Sequence, residues 1–453
     1  MKFTFIGAGS YKFTRKLVQD ILLEPVFTDT TIALMDIDQK KLDIMSQIIG
    51  RMICDSGTNT KLQVTTDTRE ALRDADIVVT TLWAGRLVDL QADHAIPASF
   101  GMRQTVADTV GPGGVFYGIR NVAVLQNVCR HMEEVAPHGL LLNYTNPMAI
   151  NMAVLQQTSS IRSIGLCHEV QLTVRFLGRL FEIPYQELEY IVGGVNHTAW
   201  FVKICHKGVD LYPRLHELAQ KPEVFELEPV RFELLQHFGL FMGESSQHHM
   251  EYNPYFLHFD DEPKRLGVKY NWGVEEYTAE VHGRKTLEGL QKFLAEAQKP
   301  IPQNSVESFL PISRAFSTGN PVCIYGNLMN KGLISNLPDN AAVEVPVFVD
   351  RNGFNPVAVG AIPGGAGART AALAFHQALA AEGIVKHDLR LIREAILCDP
   401  NTSASLRIWD IERMVDALIA QNQPYLEGWI DSRHSIYKAG STPMQSSKIY
   451  GHS

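Results

Sequence analysis

No run in this sequence approaches the roughly 18 apolar residues of a membrane helix, and no block of Lys and Arg stands out. Neither a membrane-spanning protein nor a nucleic-acid binder is expected. Cysteine is scarce. Six residues (positions 54, 129, 167, 205, 323 and 398) are scattered without a CxxC pair, which argues against a disulfide framework. The first residues, MKFTFIGAGS, lack the long apolar segment and small-residue cleavage site of a secretory signal. Reduced thiols in a cytoplasmic protein are the expectation. Internal repeats and low-complexity blocks are missing as well.

What is present is ordinary for a globular chain: 453 residues, 45% hydrophobic, 20% charged, net charge −8. At about 150 residues per domain this means two or three domains, or one large two-lobed enzyme. A core of that size needs no metal or disulfide for stability alone.

The first 165 residues alternate short apolar runs with helical stretches. FTFIGAGS reads as a strand entering a glycine turn, 13–23 as a helix, TIALMDID (31–38) as a strand and 39–54 as a helix. The strand LQVTT, a short helix (67–74), the strand DIVVTTL (76–82), a helix (115–134) and the strand LLLNY (140–144) follow. Such alternation predicts a parallel sheet covered on both faces. Gly7 and Gly9 would let the backbone approach a pyrophosphate seated on the next helix's positive end. Asp36 ends the second strand, placed to accept hydrogen bonds from an adenosine ribose and to repel a 2′-phosphate, which favours NAD over NADP. Lys12 stands where G-x-G-x-x-G has its third glycine. In RQTVADTVGPGGVFYGIR (103–120), the glycines at 111, 113 and 114 predict an exposed loop whose amides meet a ligand, with Gln104 and Asp108 just before it.

LLLNYTNPMAIN then puts Asn143, Asn146 and Pro147 at the sheet's C-terminal edge, where open α/β sheets bind ligands. The strand SIGL runs into Cys167, His168 and Glu169, and IVGGVNHTAW brings Asn196 and His197 beside another strand. A thiolate and an imidazole converging on one point suit a transition metal, and two ligands leave positions open for Lewis-acid catalysis. Alone, a cysteine is more often a small buried hydrophobe and a histidine an ordinary core or surface residue. The stretch 238–256 concentrates His248, His249, Glu251 and Tyr252 among aromatics, either as a pocket wall or as a loop. Later segments read as alternating strands and amphipathic helices, and the last residues (436–453) as a polar tail.

Taken in order, FIGAGS, LMDID, QTVADTVGPGG, NYTNPM, GLCHEV, GGVNH and VEVPVFVD resemble glycoside hydrolase family 4, the NAD- and metal-dependent glycosidases. The resemblance points to the α-galactosidase and α-galacturonidase branch. It implies an α/β fold: an N-terminal Rossmann-like doubly wound parallel sheet (1–165) and a C-terminal α+β domain (166–435), organised like lactate and malate dehydrogenases. It implies that Gly7, Gly9, Ser10 and Asp36 hold NAD, that Cys167 and His197 ligate Mn2+ or another divalent transition metal, and that Asn146 contacts the sugar. Asp108 falls in a loop tied to the catalytic pocket. The implied reaction is oxidation at carbon 3, elimination across carbons 2 and 1, water addition and re-reduction, in place of the two-carboxylate scheme of most glycosidases.

Phospho-glucosidases of the family carry Asn or Asp after the cysteine, whereas this chain has His168, so His168, Glu169 and Asp108 are all candidates for the acid. Their tyrosine base lies in a loop corresponding to ESSQHHMEY (244–252), leaving Tyr252, His248 and His249 as candidates here. Cys-His-Glu-Val looks like the α-galacturonidase signature. The expected substrate is thus an unphosphorylated galacto-configured α-glycoside, the uronide slightly ahead of the galactoside, acted on by a dimer or tetramer. The alternatives are an α-glucosidase of the same family, a 2-hydroxyacid-type NAD dehydrogenase, and a non-catalytic NAD- or sugar-binding protein.

Overall fold

The computed structural model describes residues 1–270, 272–275, 287–295 and 305–432, so the expected polar tail lies outside the described residues. Six strands near the N-terminus run parallel: β1 (Lys2–Ile6), β2 (Thr31–Met35), β3 (Lys61–Thr65), β4 (Ile77–Thr80), β5 (Leu140–Asn143) and β6 (Arg162–Gly165). Their spatial order is β3-β2-β1-β4-β5-β6. This is the doubly wound dinucleotide-binding order, and its direction of winding reverses between β1 and β4. The inner strands β1, β2, β4 and β5 are largely buried on both faces because both faces are covered, whereas the edge strand β3 is half-exposed. Ile77 and Val79 enter one core with Phe3, Phe5 and Leu142, while Val78 enters the other with Ile6 and Leu141. Each such side chain contributes about 1.5–3 kcal/mol by leaving water.

The sheet does not stop at β6. The remaining strands are β7 (Leu188–Val195), β8 (Thr198–His206), β9 (Val209–Asp210), β10 (Phe241–Met242), β11 (Val322–Met329), β12 (Ala342–Asp350) and β13 (Gly353–Pro356). The antiparallel β11–β12 pair docks on β6 through Asn327 opposite Gly165, and β12 joins β7 through Glu344 opposite Gly194. The order β10-β8-β7-β12-β11-β6 therefore continues the parallel half in one sheet. Its consequence is positional. The short β7–β8 hairpin, whose turn holds Asn196 and His197, comes to the same edge as the ends of β4, β5 and β6.

The segment 103–114 differs from the expected exposed loop. Gly111–Val135 is one helix, and Gly111, Pro112, Gly113 and Gly114 form its buried first turn. The preceding residues 104–109 fold back onto that turn. A Cβ on Gly113 would come within 2.7 Å of the Ala107 Cβ, and one on Gly114 within 2.6 Å of the Thr109 carbonyl carbon. These glycines thus permit close backbone packing. The return segment is pinned by Glu251 from the Ser246–Tyr252 helix, whose buried carboxylate accepts from the N–H groups of Thr105 (2.7 Å), Val106 (2.6 Å) and Ala107 (3.1 Å).

Replacing Glu251 with Ala would strand three buried N–H groups, each costing about 1–3 kcal/mol. We expect Glu251→Ala to lower the unfolding free energy by at least about 3 kcal/mol in a denaturant titration followed by circular dichroism. A loss below 1 kcal/mol would mean the segment is held by other contacts.

Candidate active site

The glycine turn sits at the β1/β4 reversal. Gly7 has φ +84°, and a Cβ there would lie 2.9 Å from the Thr81 carbonyl oxygen. Gly9 donates its N–H to Asp36 Oδ2 at 2.8 Å, while Asp36 Oδ1 accepts from the Asp38 N–H at 3.0 Å. A Cβ on Gly9 would meet that carboxylate oxygen at 2.7 Å. The Tyr11–Leu23 helix starts directly after Ser10. Lys12, at the place of the missing third glycine, is exposed, so its side chain does not wedge helix from sheet. Tight turn, helix N-terminus and strand-end acid fit a dinucleotide.

Beside this turn lies a cavity of about 270 Å³, whose wall includes Ser10, Phe13, Thr81, Trp83, Asn146, Cys167, His168, His197, Glu244 and His248. Two larger hollows, of about 520 and 530 Å³, lie between the Glu169–Phe181 and Phe309–Thr318 helices and contain none of the sequence-predicted site residues. Size therefore does not identify the reactive site; the side-chain chemistry does.

On the wall of the smaller cavity, the ligand atoms of Cys167, His197 and Glu244 lie within 4.8 Å of one another; those of His197 and His248 also lie within 4.8 Å of each other and of Asp108, which is buried behind the wall. A hydrogen-bond chain fixes the His197 ring. The Thr109 hydroxyl donates to Asp108 Oδ1 at 2.8 Å, so its oxygen accepts from His197 Nδ1 at 3.1 Å. The Tyr252 hydroxyl oxygen also lies 3.2 Å from Nδ1. With Nδ1 carrying the proton, Nε2 keeps its lone pair, as a metal ligand must. Burial lowers the His197 pKa to about 4, so the ring is neutral near pH 7.

Burial first, then the carboxylates of Glu169, Glu244 and Glu344, push the Cys167 thiol up. Glu244 moves the other way. Burial would raise its pKa, but the imidazoles of His248, His197 and His168 and the Ser245 N–H together hold it well below the usual carboxylate range. A soft thiol, a neutral imidazole and an anionic carboxylate around one point form a donor set that fits a divalent transition metal.

The other sequence-predicted residues fall into two groups. Asn146 is on the cavity wall, with Nδ2 donating to Asp108 Oδ2 at 2.9 Å and its backbone carbonyl accepting from Asn121 Nδ2 at 2.7 Å. Its peptide bond to Pro147 and the Asn196–His197 bond are both cis. His168 is also on the wall, its Nδ1 3.5 Å from Glu307, which Lys16 pairs at 2.8 Å. His248 faces the cavity, with Nδ1 2.9 Å from the Ser245 hydroxyl and 3.2 Å from Glu244. Glu169, Tyr252 and His249 lie off the wall. Glu169 is buried against Gly243; burial and then Glu344 drive its carboxyl well above the ordinary range. Tyr252 sits behind His197. His249 contacts the Gly243 carbonyl, and burial lowers its pKa to about 3. Thr109, Glu244 and Glu307 were not singled out from the sequence.

Comparison with known proteins gives a consistent picture. A model described as "Family 4 glycosyl hydrolase" matches residues 2–183, and its "C-terminal domain" counterpart matches residues 192–402. The chain is 33% identical to an α-galactosidase of Bacillus subtilis over 94% of its length and 99% of that protein's. It is 28% identical to an α-galacturonidase of the same organism, over 88% of this chain and 93% of the other. A solved 6-phospho-α-glucosidase from gut microorganisms, in complex with NAD and Mn2+, superposes with a TM-score of 0.79 over 95% of this chain and 99% of that one. At 19% identity that likeness shows the shared fold.

Thr109→Val keeps the side-chain shape but cuts the link from Asp108 to His197. Loss of an outer partner of a metal-binding histidine weakens metal binding by about 10–100-fold. We expect a fall of at least about tenfold in divalent-metal affinity by isothermal titration calorimetry. Unchanged affinity would show that the chain does not set the ring's tautomer.

Proposed function

Because this chain belongs to family 4 of the glycosyl hydrolases, we propose that it is an NAD+- and divalent-metal-dependent α-glycosidase acting on unphosphorylated galacto-configured sugars. One observation carries the reading: a single cavity joins the glycine turn, through Ser10 and Thr81, to the Cys167–His197 cluster. The α-galactoside is the preferred substrate. The 33% identical relative is named an α-galactosidase, and no Arg or Lys lines the cavity among the described residues. The α-galacturonide is the second reading, favoured by the Cys-His-Glu-Val motif and the 28% identical relative. Glu169, the motif's acid, lies behind the wall, so its influence on a substrate would be indirect.

Gly7, Gly9, Ser10 and Asp36 would hold NAD, and Cys167 and His197 the metal, Mn2+ in the related structure. When bound, the nucleotide supplies a reversible hydride acceptor for carbon 3 and the cation a Lewis acid for the adjoining oxygens, which makes the carbon 2 hydrogen removable. The chain's own residues do the rest. Asn146, steadied by Asp108 and Asn121, presents its amide to the sugar. Asp108 has both oxygens engaged, which makes it an orienting group. Among the wall residues able to move a proton at the sugar, we assign that part to His168 and His248: His168 lies 3.5 Å from Glu307, and His248 is bonded to Ser245 and lies 3.2 Å from Glu244. All six cysteines are free, in keeping with a reducing, cytoplasmic setting, and no helix among the described residues is long and apolar enough to cross a membrane.

The test supplies Mn2+, NAD+ and a thiol reductant and compares p-nitrophenyl α-galactoside, α-galacturonide and α-glucoside. We expect hydrolysis of a galacto-configured substrate without net NADH, its loss on adding chelator, and solvent deuterium at carbon 2 of product formed in heavy water. Steady accumulation of NADH, with no glycoside cleaved, would identify a dehydrogenase.

A further inference from the structure

We propose that Glu244 is a third protein ligand, so that this chain grips its divalent ion by a thiolate, an imidazole and a carboxylate before any sugar enters. The inference rests on the reading of this cavity as a metal-dependent glycosidase site, and extends it to a residue that no sequence motif identifies.

The argument is one of available atoms. Two carboxylates approach His197: Asp108 in one cluster and Glu244 in the other. Asp108 is committed on both sides, Oδ1 to the Thr109 hydroxyl and Oδ2 to the Asn146 amide. Ligating through Asp108 would compete with the very bonds that orient His197 and Asn146. Glu244 is different. Its contacts with the Ser245 N–H (3.0 Å) and His248 Nδ1 (3.2 Å) both fall on Oε1. No described residue hydrogen-bonds Oε2, and the side chain lines the cavity with only 16% of its surface exposed. Its backbone is held at φ +57°, an uncommon conformation for a residue with a side chain. Glu244 lies between β10 and the Ser246–Tyr252 helix, so both flanks are anchored.

The charges also close. One thiolate and one carboxylate neutralise a dication, whereas a cysteine and a histidine alone leave a buried net positive charge. An oxygen donor moves the set toward Mn2+, which prefers carboxylates, and three ligands still leave positions for sugar oxygens. His248 then has a defined place: with Nδ1 bonded to the Ser245 hydroxyl and 3.2 Å from Glu244 Oε1, it flanks the ligand carboxylate and stays outside the coordination sphere.

The test measures metal binding in the absence of sugar. Mn2+ is titrated into chelator-treated full-length protein with NAD+ present, and free Mn2+ is read by electron paramagnetic resonance. We expect Glu244→Gln to weaken binding by at least about tenfold, and Asp108→Asn to do so by less. Circular dichroism and NAD+ binding serve as checks on folding. Glu244→Asp, which keeps the charge but withdraws the oxygens, should bind more weakly than wild type and more tightly than the glutamine variant. Substitution with Co2+ gives a second readout: its visible bands should change on Glu244→Gln. Wild-type Mn2+ affinity in the folded Gln and Asp variants, even with activity lost, overturns the proposal and leaves Glu244 a proton-transfer group. Wild-type affinity in Cys167→Ser would instead sink the underlying reading of the metal site.

Discussion

The site depends on where one proton sits. Asp108 Oδ1 accepts a hydrogen bond from the Thr109 hydroxyl, whose oxygen in turn accepts from His197 Nδ1, and the opposite nitrogen keeps its lone pair. The same Asp108 holds the Asn146 amide, so one carboxylate orients both the proposed metal ligand His197 and the proposed sugar contact Asn146. That carboxylate is placed by a backbone segment folded onto glycines 113 and 114 and pinned by Glu251 from another part of the chain. Moving any of these parts shifts the ring, and the hydrogen bonds of Glu251 to buried N–H groups make such movement costly.

The sheet's topology brings the two chemistries together. Winding reverses between β1 and β4, which opens a crevice at the strand ends and leaves the glycine turn on its rim. The β11–β12 pair then spans from β6 to β7 and carries the β7–β8 turn to the same edge. Cys167 arrives at the end of a parallel strand and His197 in an antiparallel hairpin, and they meet because one continuous sheet supports both.

Much of this was legible in the sequence. Buried parallel strands are continuous apolar runs, and the alternation with helices up to β6 could be read directly, as could the glycine turn and Asp36. The Leu87–Ser99 helix and the burial of Gly111–Gly114 were not. That burial depends on Glu251, more than 130 residues later in the chain, and no local pattern carries that information. Cys167, His168 and Glu169 are adjacent in sequence, which suggests one shared role. Glu169, however, is the first residue of a helix. Cys167 and His168 stay in the strand-to-helix turn on the cavity wall, while Glu169, inside the helix, is buried behind that wall. Glu244 opens ESSQHHMEY, the stretch set against the family's base loop, but nothing in that stretch marks it as a ligand; its closeness to Cys167 and His197 does.

The central claim is that sugar carbon 3 is transiently oxidised in a cavity shared by nucleotide and metal. Turnover of an α-galactoside deuterated at carbon 3 tests this most directly. The account predicts slower turnover than with the unlabelled sugar, with the deuterium returned to carbon 3 of the released galactose. Equal rates with and without NAD+, accompanied by no isotope effect, would contradict it.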